Sequence, residues 1–218
     1  MKTYQLEGTP RESVGKKATK ALRKEGLIPV VLYGQSPIEL PFKGSLNKGE
    51  KIIEIEGNKG IVVTDFLVSI ENVRNLVYTP NIYLVELTLN GKVIKVILKD
   101  IQFHPVTDAI LHIDFLEVFE KKPIVMEVPV ILDGYAEGVK SGGKLNLEMR
   151  RLRVKALYDK IPETLTVNVE HLGLGKTIQV GELSFPDLEL INAKNAVVCA
   201  VKLTRAARGA AAANAGNN

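Results

Sequence analysis

Alternation with a period of two runs through most of this 218-residue chain and constrains it more than any other feature. Residues 51–56 read KIIEIE, 82–89 read IYLVELTL and 92–99 read KVIKVILK. Side chains on a strand point to opposite faces in turn, so such runs describe strands with one face inward. Asn90-Gly91 stands between the last two runs, and both residues tolerate positive φ, so the pair predicts a type I′ hairpin. Further strands are expected at about 111–119, 124–132, 152–157, 165–169 and 196–203. Asp133-Gly134, Ser141-Gly142-Gly143 and Ile161-Pro162 supply turn signals between them. The expected class is mainly β with short helices.

Two short helices are expected. The first covers about 14–25, with Ser13 as its cap, Gly26 as its end and Pro29 blocking extension. Val14, Ala18, Ala21 and Leu22 form an apolar stripe, while Lys16, Lys17, Lys20, Arg23 and Lys24 fill the rest of the surface. The second covers about 70–78, with Ser69 at its start, Pro80 beyond its end, and Val73, Leu76 and Val77 facing inward. The charges and proline of Glu120-Lys121-Lys122-Pro123 suggest a boundary between a domain over 1–119 and a mostly β domain over 120–204. The tail over 205–218, RAARGAAAANAGNN, is low-complexity and reads as weakly helical or disordered.

Composition excludes several classes. A single Cys199 cannot form an internal disulfide, which fits the cytoplasm. The first residues, MKTYQLEGTPRES, lack the apolar stretch of a signal peptide, and no apolar run is long enough to span a bilayer. The formal net charge of +4 is unevenly placed: residues 1–24 hold seven basic and two acidic groups, and the remaining 194 hold 22 and 23. Focused positive charge acts on a polyanion where dispersed charge does not.

The basic helix has an ordinary reading, a solvated face, and a sharper one. Its face is nearly all of one sign, and i,i+4 pairs such as Lys16/Lys20 and Lys20/Lys24 repel by roughly 0.2–0.5 kcal/mol each. A phosphate backbone relieves that repulsion. Arg11, in the preceding loop, offers a forked donor suited to phosphate or a guanine edge. Residues 27–35, LIPVVLYGQ, read as a core strand ending in Tyr33, a core side chain or a base-stacking one.

Gln102-Phe103-His104-Pro105 and His112-Ile113-Asp114-Phe115 follow. His112 and Asp114 share a strand face. They are a hydrogen-bonded surface pair, a donor and acceptor for RNA, or, with the distant His171, the ligands of a non-heme iron oxygenase. Gly175-Lys176-Thr177 resembles the end of a phosphate-binding loop, but Glu170 stands where that loop needs glycine and no strand-to-helix context surrounds it, so nucleotide hydrolysis is rejected. No catalytic triad follows from spacing, and Cys199, inside AVVCAVKL, reads as a buried small hydrophobe.

The order RES-GKxAxKALRKxGxIPxVLYG, LVYTPN and LKDIQFHPVTDxILHIDFLEV resembles the bacterial large-subunit ribosomal protein family that binds 5S rRNA, the twenty-fifth in the large-subunit naming. The second half, with GVKSGGKLN, IPETLTVNVEHL and KTIQVGEL, resembles the extra domain of the family's long form, the general stress protein CTC type. The resemblance covers about 3–204. It implies a six-stranded β-barrel with short helices, followed by a mostly β domain. It implies a non-enzymatic, cytoplasmic protein with no cofactor, metal, membrane or small-molecule substrate, whose barrel reads the loop E region of 5S rRNA through a minor groove.

Carried over by position, the family's RNA contacts fall on Arg11, Arg23, Tyr33, His112 and Asp114. Lys16, Lys17, Lys20 and Lys24 of the helix, with Gln102 and His104 before the HIDF motif, complete the expected RNA-binding set. An off-ribosome stress-response RNA-binding module is the other function such a fold allows. Two departures stand out. Asp108 occupies a loop where relatives often carry basic residues, and 43–66 is longer than the family's norm and reads as an inserted hairpin. In the second domain, Arg150, Arg151 and Arg153 could meet 23S rRNA or a neighbouring ribosomal protein, or simply be solvated.

Overall fold

The computed structural model describes residues 1–11, 15–34, 38–39, 46–55 and 59–204. Two compact units divide the chain, Met1–Lys122 and Pro123–Asn218. The expected cap Ser13, the stripe residue Val14 and the tail over 205–218 lie outside the described residues.

The first unit is built from β1 (Lys2–Glu7), β2 (Thr9–Pro10), α1 (Lys16–Lys24), β3 (Leu27–Tyr33), β4 (Ile38–Glu39), β5 (Glu50–Ile55), β6 (Lys59–Ser69), α2 (Ile70–Val77), β7 (Tyr83–Leu89), β8 (Lys92–Phe103) and β9 (Ile110–Glu117). The hydrogen-bonded path through the sheet is β1–β7–β8–β9–β3–β6–β2. Its two ends, β1 and β2, are halves of one N-terminal segment. That segment pairs in parallel with β7 as far as Glu7, then with β6 from Thr9. The curled sheet is thereby closed by the chain itself, giving six staves.

The switch occurs at Gly8, whose N–H donates to the Thr88 carbonyl at 3.0 Å. A Cβ there would stand 2.6 Å from Phe66 Cδ2, so the crossing has room only for glycine. Inside lie Leu6, Ile28, Val30, Phe66, Val68, Val85, Leu87, Val96, Ile113 and Phe115, all buried, with the Phe66 and Phe115 rings stacked at 6.3 Å. The β7–β8 hairpin turns at Asn90 and Gly91 with φ of 52° and 75°, the paired positive values a type I′ turn requires. α2 adds Val73 and Leu76 to the core.

Part of the segment expected as an inserted hairpin, 43–45 and 56–58, is outside the described residues. β5 pairs with the first half of β6, from Lys59 to Thr64. β6 then continues as a full stave against β3, and Phe66 fills the core. The addition to the barrel is therefore β5 and the start of β6, while the end of the segment belongs to the wall.

The second unit contains β10 (Ile124–Asp133), the short α3 (Glu137–Lys140), β11 (Lys144–Leu147), β12 (Arg151–Ala156), β13 (Leu165–Asn168), β14 (Thr177–Gln179), β15 (Glu189–Leu190) and β16 (Val197–Lys202). One sheet runs β13–β10–β12–β15 and the other β11–β16–β14. β12 alternates strictly, with Leu152, Val154 and Ala156 inward and Arg151, Arg153 and Lys155 outward. Cys199 is buried on β16, and burial pushes its thiol up, as expected of a small core residue. Gly175 sits in a turn at φ 74° and Thr177 opens a strand, which is not the helix a phosphate-binding loop needs.

Candidate nucleic-acid interface

Lys16, Lys17, Lys20, Arg23 and Lys24 are all exposed along α1, with no acid in its first turn. Of the expected apolar stripe, Ala21 is exposed, and Val14 lies outside the described residues. None of the helix's side chains is buried, Ala18 and Leu22 are half-buried, and its N-cap is Gly15 with no side-chain hydrogen bond. Nine residues are too few for a helix to persist alone in water. Polar tethers make up the difference. At the C-terminal end, Arg23 Nε and Nη2 donate to the Leu111 carbonyl at 3.1 and 2.8 Å. On the N-terminal side, Arg11 Nη2 donates to Thr19 Oγ1 at 2.7 Å. Arg23 thus uses part of its fork to dock the helix on β9.

Leu111 precedes His112, so the tether sets the basic helix beside the outer face of the barrel. Ile113 and Phe115 point inward from β9, leaving His112 and Asp114 outward. Strand register places Gln102 opposite His112 and Asp100 opposite Asp114, past a bulge between Leu98 and Asp100. On the other side Asp114 aligns with Val31 of β3, and Val31 with Asp65 of β6. Asp100, Asp114, Val31 and Asp65 therefore form one row across four strands. Asp65 and Asp100 were not identified from sequence. Each precedes an apolar residue, Phe66 or Ile101, but only the register shows that they share a row with Asp114.

The row is electrostatically unfinished. Lys51 Nζ meets Asp65 Oδ2, and Asp100 Oδ1 accepts from the Ile101 N–H at 2.9 Å. Asp114 Oδ1 lies 3.1 Å from His112 Nδ1, yet this oxygen is buried and no hydrogen bond reaches it. A buried acceptor without a donor costs about 1–3 kcal/mol, and facing carboxylates add repulsion. Tyr33 lies two residues beyond Val31 on the same face. Burial first, then the charges of Asp114 and Asp65, raise its phenol pKa, further from neutral pH, where the hydroxyl is already a protonated donor.

His104 sits in the turn between β8 and β9. Its Nδ1 accepts from the Val106 and Thr107 N–H groups at 3.3 Å and its backbone closes the β8–β9 turn, so it shapes this loop. The iron-oxygenase alternative lacks a ligand set. Among the described residues no group of three His, Cys, Asp or Glu side chains could hold a metal, and His171 is an exposed turn residue of the second unit. In that unit Arg153 is ion-paired with Glu127 at 3.0 Å, and Lys155 with Glu189 at 3.0 Å, which reduces the cationic character of β12.

Residues 6–115 match the Ribosomal L25p family, and 123–205 match the Ribosomal protein TL5, C-terminal domain. The Large ribosomal subunit protein bL25 of Porphyromonas gingivalis is 61% identical over 212 residues, covering 97% of this chain and 98% of the relative. The protein of the same name from Phocaeicola vulgatus is 59% identical over 212 residues, with 97% and 98% covered. That from Bacteroides fragilis is 56% identical over 218 residues, with 98% of both covered.

Proposed function

Because the chain belongs to the bL25 family of structural, non-enzymatic proteins of the bacterial large ribosomal subunit, we propose that it holds 5S rRNA, at the loop E region, between α1 and the outer face of β8, β9 and β3. The observation that carries this reading is the docking of Arg23 on the Leu111 carbonyl, which joins two chemically different surfaces. One surface is a row of exposed cations suited to phosphates. The other is a sheet face with an unsatisfied carboxylate oxygen, a tyrosine donor, a histidine and a glutamine. Cations give affinity without sequence preference. Carboxylate acceptors suit base amino groups and 2′-hydroxyls in the shallow groove of RNA, which admits side chains as the deep groove does not.

Affinity for 5S rRNA and for an unrelated RNA duplex of equal length tests the division. Replacing Asp114 with Ala reduces the preference for 5S rRNA by about tenfold, the effect of losing one good edge contact. Equal weakening on both RNAs removes Asp114 from recognition.

A further inference from the structure

The strand added at β5 puts a cation on the sheet face that carries the aspartate row. Its start is fixed against Asp65. Gly49, at φ 87°, accepts from the Asp65 N–H at 2.9 Å, and a Cβ on it would lie 2.7 Å from the Asp65 carbonyl oxygen. Register then sets Lys51 opposite Val63, two residues before Asp65 and so on the same face of the sheet. Val63 aligns in turn with Tyr33 of β3, which places Lys51 and Tyr33 in one row beside the row of aspartates.

The Lys51 ammonium donates to Asp65 Oδ2 at 2.5 Å, a charge-assisted bond. Glu50, the acid next to Lys51 in sequence, is turned instead to the Asn47 N–H and side-chain amide at 2.8 and 2.7 Å. Lys51 is exposed and Asp65 half-buried, so a pair of this kind adds little to stability. Its effect on an approaching polyanion is larger. A bare carboxylate is repelled by phosphates within a Debye length, about 8 Å at physiological ionic strength. The Asp65 charge is felt across the face: the Tyr33 phenol pKa is raised by burial first, then by Asp114 and Asp65.

We propose that Lys51 is a positioning residue of the RNA-binding face, masking the Asp65 carboxylate so that RNA phosphates can settle over β6 and β3. The proposal rests on the 5S rRNA reading above and extends that surface by one strand. Lys51 touches no RNA and acts through Asp65.

The test is 5S rRNA affinity of the full chain at low and high salt, well below each variant's melting temperature, for Lys51→Met, Lys51→Arg, Asp65→Asn and the double variant Lys51→Met/Asp65→Asn. Lys51→Met should weaken binding about fivefold at low salt, the scale of one uncompensated charge near a phosphate, and its deficit relative to the parent should shrink as salt rises. Lys51→Arg keeps parental affinity. Asp65→Asn binds as well as the parent or better, and the double variant regains what Lys51→Met lost. Parental affinity in Lys51→Met overturns the masking role and leaves the RNA reading intact. A double variant as weak as Lys51→Met overturns it too, since Lys51 then acts on the RNA directly or through the fold. A deficit that ignores salt marks structural damage, and a weakened Asp65→Asn makes Asp65 itself an RNA acceptor; either result overturns the proposal. Equal affinity of the parent for 5S rRNA and an unrelated duplex overturns the 5S rRNA reading, and the proposal with it, before any variant is compared.

Discussion

His112 Nδ1 and Asp114 Oδ1 stand 3.1 Å apart on the outer face of β9, and no hydrogen bond reaches the aspartate oxygen. Asp100 faces Asp114 across the strand pair. An acceptor kept without a donor, opposite a like charge, weakens the free protein. Asp114→Asn relieves the repulsion, so it should leave thermal stability unchanged or raise it by up to about 1 kcal/mol. The same change should lower 5S rRNA affinity, because one acceptor becomes a donor. Melting and binding measured together separate the roles: loss of both stability and affinity would make Asp114 a structural residue.

Lys20 lies mid-helix, exposed, with cations on either side at Lys16 and Lys24. Lys20→Ala is expected to weaken binding to any RNA and to reduce the log–log salt slope by roughly 0.7–0.9. An unchanged slope would take this part of α1 off the phosphates.

Barrel closure makes Gly8 sensitive to a single methyl group. Gly8→Ala brings a Cβ within 2.6 Å of the Phe66 ring, which is fully buried and stacked on Phe115. Destabilisation of about 1–3 kcal/mol is expected in chemical denaturation, the scale of overpacking a filled core. A neutral result would show that the strand switch from β7 to β6 is looser than its hydrogen bond to Thr88 implies.

Glu117, at the end of β9, has its carboxyl raised above the ordinary range by burial, with Lys122 offsetting part of the shift. A raised carboxyl favours the folded state below the unfolded pKa, about 4.3, and that contribution is lost as pH climbs through the folded value. Glu117→Gln should therefore be more stable than the parent at neutral pH, with the advantage gone below about pH 4. Denaturation midpoints of both proteins across that range check the sign, and a variant less stable at neutral pH would show that Lys122 outweighs burial.

Much of the wall was legible because alternation and turn chemistry act locally. The Asn90-Gly91 hairpin formed as its residues require, and β9, β10, β12, β13 and β16 lie within a residue or two of the expected strands. α2 begins at Ile70 with Val73 and Leu76 inward, as its spacing predicts. The parallel pairing of β1 with β7 was not legible. Nothing in KTYQLE states its partner, and the switch at Gly8 depends on Phe66, 58 positions away. α1 was legible as a basic helix, but its polar tethers, to a backbone carbonyl on β9 and to a hydroxyl, were not. In the interface, His112 and Asp114 share a face by local parity alone. Asp65, Asp100 and Thr19 needed register and side-chain geometry to be found.

Backbone-cleavage footprinting of 5S rRNA with the intact chain locates the contact. Protection concentrated at loop E is expected, lost first from the flanking phosphates when Lys20 is replaced by Ala. Protection elsewhere on 5S rRNA, or none at concentrations that saturate binding, would contradict it.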